Sequence, residues 1–162
     1  MRDLRHCCAG GRRIWDDRAM KEHWVDVQFD FKASQQVVFD HLAEHENLAS
    51  VFGAKITRIK DGDTERNGVG SVRMVKVGPT PAVEETITAF EPFSLIEYKI
   101  TNNSPIKNHI GIMKFSELPG GGTHLDYRIR LCSKIPGLAA IMRKVLTAGI
   151  VKGFTDLNSK LS

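Results

Sequence analysis

Cysteine is scarce, three residues in 162, and two of the three are adjacent. Neighbouring Cys7 and Cys8 suit neither an ordinary bridge nor the C-x-x-C spacing of a metal-ligand pair. Cys132 stands alone in a strand-like run, where it reads as a small buried hydrophobe. A disulfide framework is therefore excluded, and a reducing, cytoplasmic setting is the simplest expectation. Long apolar runs are missing too. No stretch approaches the roughly 18–20 residues a helix needs to cross a bilayer, so stable membrane insertion is not expected. Neither sign of charge dominates, with 23 Lys+Arg against 19 Asp+Glu. Residues 1–22 hold six basic and four acidic side chains, leaving 17 against 15 for the remainder. The excess is small and spread along the chain, whereas a nucleic-acid footprint clusters Lys and Arg on one face. No nucleic-acid partner is expected. Internal repeats and low-complexity segments are also lacking.

The length suits a single domain able to bury a sizeable core without disulfide or metal staples. Residues 1–19 show neither helical nor strand periodicity. Arg12 and Arg13 form an arginine pair, but no apolar segment of a signal peptide follows them. These residues are expected to be a disordered or non-native extension, with the domain running from 20 to 162. WVDVQFDF (24–31) then alternates apolar and polar side chains as a half-buried strand does, with Val25, Val27, Phe29 and Phe31 inward. Ser34 sits where an N-cap belongs, and QQVVFDHLA reads as an amphipathic helix with Val38, Phe39, Leu42 and Ala43 on its apolar stripe. A second helical turn over roughly 46–52 ends before Gly53.

Strands follow at 54–63, 69–77, 82–91, 94–100, 107–118 and 123–133, separated by turn signals such as GPTP, Pro92, NNSP and PGGG. The last alternates most cleanly, with Leu125, Tyr127, Ile129 and Leu131 on one face. Beyond Pro136, residues 138–162 take helical spacing through Leu138, Ile141, Val145, Ala148, Phe154 and Leu157. At 1.5 Å per residue that helix is roughly 35 Å long, enough to cross a sheet. One strand, two short helices, six hairpin-connected strands and a long C-terminal helix make an α+β domain, a mostly antiparallel sheet of about seven strands with a helix across one face.

VVFDHLAEHENLASVF after the first strand, then NGVGSVRMV, EETITAFEPFSLIEYKI and GGGTHLDYRIRL before a proline and a final helix, resemble the START/Bet v 1-like (SRPBCC) superfamily. The likeness is to its polyketide cyclase/dehydrase-like members and covers 24–162. The resemblance implies a helix-grip fold, in which a curved sheet wraps the C-terminal helix around a largely apolar cavity. It implies a hydrophobic ligand such as a lipid or polyketide. It transfers no catalytic residue, because the superfamily shares a cavity and not a catalytic motif.

HLAEH (41–45) fits H-x-x-E-H, in which two histidines on one helical face hold zinc and the glutamate activates water. Its spacing sets His41 and His45 on neighbouring positions of the first helix, with Glu44 toward solvent. The zinc motif needs a further acidic ligand from a helix of its own, which nothing here supplies, so no metal is expected. The histidines are left as ordinary boundary residues or as groups at a cavity mouth. Arg73 and Glu85 are the sharper candidates. If GPT (78–80) joins their strands, facing residues sum to 158, pairing Val75 with Val83 and Arg73 with Glu85 on the face of Ile87. A charge pair on that face anchors a polar ligand group or tunes an acid; shifted by one residue it is an ordinary solvated pair.

Tyr98, Met113, Phe115 and Tyr127 share inward parity. A buried tyrosine hydroxyl needs a partner and so is a possible anchor. His109 shares the parity of Met113 near a strand end. On the long helix Val145, Gly149 and Gly153 complete the candidate lining. A glycine there costs about 1 kcal/mol against alanine, so Gly149 and Gly153 imply close approach to the sheet or space for a ligand. GVG (68–70) and GGG (120–122) are turns without the strand–loop–helix context of a phosphate cradle, and no cofactor is expected. The expected function is binding of a hydrophobic small molecule by a monomer or homodimer. Alternatives are a cyclase/dehydratase-type enzyme with Glu85 or a histidine as base, and an interaction module of toxin-antitoxin or quinone-chaperone type.

Overall fold

The computed structural model describes residues 21–162; the extension expected over 1–19 lies outside the described residues. Alternation over β1 (His23–Phe31) leads into α1 (Gln35–Ala43) and α2 (Leu48–Phe52). Six strands follow: β2 (Lys55–Lys60), β3 (Val72–Lys76), β4 (Val83–Glu91), β5 (Leu95–Ile100), β6 (Ile106–Glu117) and β7 (Thr123–Ser133). Helix α3 (Leu138–Leu161) closes the chain. The expected α+β architecture is the one observed.

One seven-stranded antiparallel sheet runs in the order β1-β7-β6-β5-β4-β3-β2. Strands β2 to β7 form a continuous meander, and β1 joins its far edge beside β7. The chain must therefore cross six inter-strand gaps, roughly 29 Å, between β1 and β2. Helices α1 and α2 make that crossing, and Gly53 ends the second in a left-handed cap at φ 61°. Register shifts between Arg58 and Lys60, Ile87 and Ala89, and Lys107 and Ile110 bend the sheet. Its concave face carries Val25, Val27, Phe31, Ile87, Ile96, Met113, Phe115, Leu125, Ile129 and Leu131, all buried. Strands β2 and β3 are shorter than their sequence pattern, because Gly62, Gly68 and Gly70 fold the intervening residues into a hydrogen-bonded loop.

Phe154 of α3 anchors one aromatic cluster, its ring centroid 5.5 to 6.4 Å from those of Phe29, Phe31, Phe52 and Tyr127. Phe39 centres a second with Phe90, Phe93 and Phe115. Phe93 adopts a φ of 63°, a conformation costly for a bulky residue, and the Gln35 side-chain amide donates to its carbonyl at 2.7 Å.

The buried face of α3 differs from the expected stripe. Ala139, Ile150, Gly153, Phe154 and Leu157 are buried, with Leu138, Met142, Leu146 and Leu161 packed against the core. Running back from Phe154 and Leu157 at 3.6 residues per turn reaches Ile150, Leu146, Met142 and Ala139, which turns Ile141 and Val145 outward. Val145 is 58% exposed and does not line the interior. Gly149 is exposed too, with nothing near the position a Cβ would take. At Gly153 a Cβ would lie 1.8 Å from the Val51 carbonyl oxygen, so this glycine lets α3 close on α2. The approach is to a helix and not to the sheet. Two alanine substitutions should therefore have opposite effects. Gly149→Ala should stabilise by about 0.5–1 kcal/mol through helix propensity, whereas Gly153→Ala should destabilise by about 1–3 kcal/mol by forcing α2 and α3 apart. Urea denaturation of both variants reads the two signs.

Candidate functional site

Strands β3 and β4 pair Arg73 with Glu85 and Val75 with Val83, the register in which facing residues sum to 158. Arg73 is 3% exposed and Glu85 9%. The Arg73 Nε and Nη2 both lie 2.9 Å from Glu85 Oε2, so two N–H groups of one guanidinium converge on a single carboxylate oxygen. Ile87, two residues on from Glu85, is buried on the same face. Burial alone pulls the guanidinium toward deprotonation, but the Glu85 carboxylate and Tyr98 outweigh it and raise the Arg73 pKa.

Tyr98 extends this pair across the sheet. The Arg73 guanidinium carbon sits 4.7 Å from the Tyr98 ring centroid in a cation–π stack. The Tyr98 hydroxyl is hydrogen-bonded to that of Tyr127 on β7. Strand β6 lies between β5 and β7, and its position opposite Tyr98 is Gly111. A Cβ at Gly111 would fall 2.1 Å from Tyr98 Cζ, so the glycine is what lets the ring lie over β6 and reach Tyr127. Burial first, then Tyr127, raises the Tyr98 pKa; burial likewise raises that of Tyr127. Both phenols are neutral donors near pH 7.

Two imidazoles border the same charges. His109 reaches the interior beside the β6–β7 bulge, where Asn108 has a φ of 50° and its carbonyl accepts from Arg130 Nε at 2.8 Å. Its ring centroid is 5.6 Å from that of Tyr98, and its buried Nδ1 has no hydrogen-bond partner among the described residues. Burial lowers its pKa, Glu85 opposing and Arg73 reinforcing. His45 is 0% exposed, and neither ring nitrogen has a partner among the described residues. Burial, then the positive charge of Arg73, then that of Arg58, lower its pKa to about 3. Ser71 adds, at the start of β3, a buried hydroxyl without a hydrogen-bond partner among the described residues.

HLAEH is therefore not one helical face. Helix α1 stops at Ala43, Glu44 is its C-cap in an extended conformation, and His45 turns inward from the α1–α2 elbow. Nor does Glu44 point to open solvent. Its Oε1 accepts from Arg58 Nη2 at 2.6 Å, while Arg58 also binds Glu46, Asp61, Asn67 and the Arg66 carbonyl. The network straps the elbow to β2 and the following loop, holding His45 under it. His41 stays on α1 with a buried Nε2 that has no partner among the described residues, its pKa lowered by burial and by Lys160. Among the described residues no three His, Cys, Asp or Glu side chains converge as metal ligands.

The structure thus brings Arg73, Glu85, Tyr98, His109 and Tyr127 together, with Met113 and Phe115 buried on the same sheet face. It leaves out Val145 and Gly149, and Gly153 serves helix packing. His45 joins them from a turn, and Gly111 enters as the surface on which Tyr98 lies; neither shows in sequence, because one depends on where α1 ends and the other on the β5–β6 register. Two grooves lie elsewhere. One of about 400 Å³ is lined by Phe39, Phe90, Pro92 and Phe93 with acidic neighbours Asp40 and Glu65. Another, about 460 Å³, lies along the outer side of α3. Neither includes a member of the polar cluster.

A curved antiparallel sheet gripping a C-terminal helix, with a few polar groups converging inside an apolar shell, defines the START/Bet v 1-like class. The chain belongs to the polyketide cyclase/dehydrase and lipid transport family, whose family model matches residues 22–162. Solved structures agree in fold. A START superfamily protein from Mycobacterium smegmatis superposes with a TM-score of 0.73 at 12% identity, covering 86% of this chain and 99% of that one. Norcoclaurine synthase from Thalictrum flavum, solved with dopamine and hydroxybenzaldehyde, gives 0.68 at 14% identity over 98% and 96% of the two chains. Ara h 8.0201 gives 0.63 at 17% identity over 86% and 99%. No curated protein sequence matches.

A buried imidazole with a depressed pKa has a thermodynamic consequence. The unfolded chain takes up the proton near pH 6.5, while folded His45 resists it until about pH 3. Stability linked to His45 is complete above pH 6.5 and is lost as pH falls through that window, at up to about 1.4 kcal/mol per pH unit. His45→Leu should remove one proton's worth of this slope. Urea titrations of both proteins between about pH 6.5 and 5, above the carboxylate range, measure the difference, and equal slopes would place His45 in contact with water.

Proposed function

We propose that the protein binds a hydrophobic small molecule between the sheet and α3, with the Arg73–Glu85 and Tyr98–Tyr127 pairs orienting a polar group of that ligand. The observation that carries this reading is the convergence, on one apolar concave face, of an ion pair, a tyrosine pair and two imidazoles with unpartnered ring nitrogens. A core built for stability alone has little use for such groups, since a buried charge pair is often replaceable by apolar residues at no loss. Partly satisfied polar groups among apolar walls are what a ligand site offers, apolar area supplying affinity and a few polar atoms setting orientation. In the present arrangement Glu85, Arg73, Tyr98 and Tyr127 touch in series, so a ligand reaches them by separating Arg73 from the tyrosine pair. Lipids and polyketides fit the family and the chemistry. The protein is proposed to act in the cytoplasm, in keeping with its few cysteines and the free, buried Cys132.

A second reading, catalysis on the bound ligand, draws support from the same neutral groups. Two phenols kept protonated can polarise a carbonyl, and His109, kept neutral by burial beside Tyr98, can accept a proton. Norcoclaurine synthase shows that the fold hosts an enzyme, and at 14% identity it says nothing of this chain's reaction.

Native mass spectrometry of the purified protein, followed by solvent extraction and a screen of fatty acids, sterols and aromatic polyketides, tests the binding reading. Arg73→Met alone should destabilise the fold by about 3–5 kcal/mol, because it strands Glu85. The double variant Arg73→Met/Glu85→Leu should recover most of that stability and yet bind extracted or screened ligands about tenfold more weakly. A double variant that is stable and binds as well as the parent removes the ion pair from the site. Turnover of a bound ligand, abolished by Tyr98→Phe, would establish the catalytic reading.

A further inference from the structure

Helix α3 is apolar on two opposite faces. Its inner stripe meets the sheet and α2, but Ile141, Val145, Ala148 and Val151 recur on the other side at helical spacing, all exposed. Ile141 is 63% exposed, and Ile135 in the turn leading into the helix is 52% exposed. A surface helix is ordinarily polar on its outer side, and aliphatic residues in a row there signal a contact surface.

The charges on that side are mostly positive, its one acidic side chain among the described residues, Asp156, being paired with Lys152. No Asp or Glu occurs between Asp126 and Asp156, and that interval holds six basic residues. Arg128 and Arg130 belong to β7, where Arg128 meets Asp26 and Asp126 and Arg130 approaches Glu22. Lys134, Arg143, Lys144 and Lys152 remain beside the exposed stripe, all exposed. Of these, Lys152 meets Asp156 at 2.6 Å, and Lys134, Arg143 and Lys144 have no acidic partner among the described residues. The chain's modest overall excess of charge conceals this local bias.

We propose that the outer face of α3 docks on an anionic lipid bilayer, Ile135, Ile141, Val145 and Val151 entering the headgroup region while the flanking cations meet lipid phosphates and carboxylates. Aliphatic side chains flanked by Lys and Arg are the composition of an interfacial helix, in which the long cationic side chains reach outward around a buried apolar stripe. A second copy of the chain is disfavoured, because a two-fold interface would set the cations of one protomer against the same cations of the other. Insertion across the bilayer is not implied, since among the described residues no helix is long and apolar enough to cross a membrane. The face lies opposite the ligand-binding side of α3, so this docking does not depend on what the interior holds.

Co-sedimentation of the full chain with vesicles tests the proposal. Vesicles of phosphatidylcholine with about 30% phosphatidylserine should retain the protein at about 0.1 M salt, and phosphatidylcholine alone should not. Raising the salt to about 0.5 M should weaken retention severalfold. Ile141→Glu/Val145→Glu, at exposed positions, should reduce binding about tenfold without changing the melting temperature, and Lys134→Glu/Lys144→Glu should do likewise. Ile59→Glu, exposed on β2, should have no effect. Absence of retention on anionic vesicles, or retention unchanged by Ile141→Glu/Val145→Glu, overturns the proposal. So does a dimer in sedimentation velocity that this variant dissociates, which would assign the face to a second copy.

Discussion

A buried ion pair constrains everything near it. Arg73 and Glu85 have left water together, and neither is tolerable inside the sheet without the other. Their pairing requires the β3–β4 register seen here, because a slip of one residue would turn both side chains outward and bring two neighbours in. The guanidinium then supplies the positive face on which Tyr98 stacks. Tyr98 in turn needs Gly111 beneath it and Tyr127 beyond it. Burial lowers the pKa of both His45 and His109, and the same positive charge reinforces it, opposed at His109 by Glu85. A chain of contacts thus spans the sheet from β3 to β7, with one electrostatic requirement at its root.

The helices frame that chain of contacts. Helices α1 and α2 span the gap between the first and second strands, on opposite edges of the sheet, and the elbow between them turns His45 into the interior, where the positive charge of Arg73 bears on it. Arg58 locks the elbow from outside through Glu44 and Glu46, its bond to Glu46 holding that carboxyl well below the usual carboxylate range. Helix α3 closes against α2 at Gly153, where the absence of a side chain sets the distance between them. Its two apolar faces give it two environments, the inner one packed against the sheet and α2 and the outer one exposed.

Much of this was legible in the residues. Period-two alternation and the turn residues between runs located the strands, and a GPT turn joining two of them set Arg73 opposite Glu85. Tyr98, Met113, Phe115 and Tyr127 followed from parity alone, since a strand has only two faces. Helix α3 was harder. Ile141, Val145 and Ala148 are as apolar as Met142, Leu146 and Ile150, so two stripes satisfied the 3.6-residue period and composition did not choose between them. The HLAEH spacing failed for a related reason. An i,i+4 relation holds only while the helix lasts, and α1 ends two residues before His45.

What the sequence determined by itself was therefore periodic and local: the order of elements, the sheet faces, and the hairpin register that joins one arginine to one glutamate. Those features depend on backbone geometry repeated along the chain, which neighbouring residues report. Tertiary structure alone decided which stripe of α3 meets the core, that His45 turns inward, and that Gly111 and Gly153 carry close approaches. Each of these depends on contacts between segments distant in sequence. Such contacts form only when sheet curvature and helix placement bring those segments within van der Waals distance.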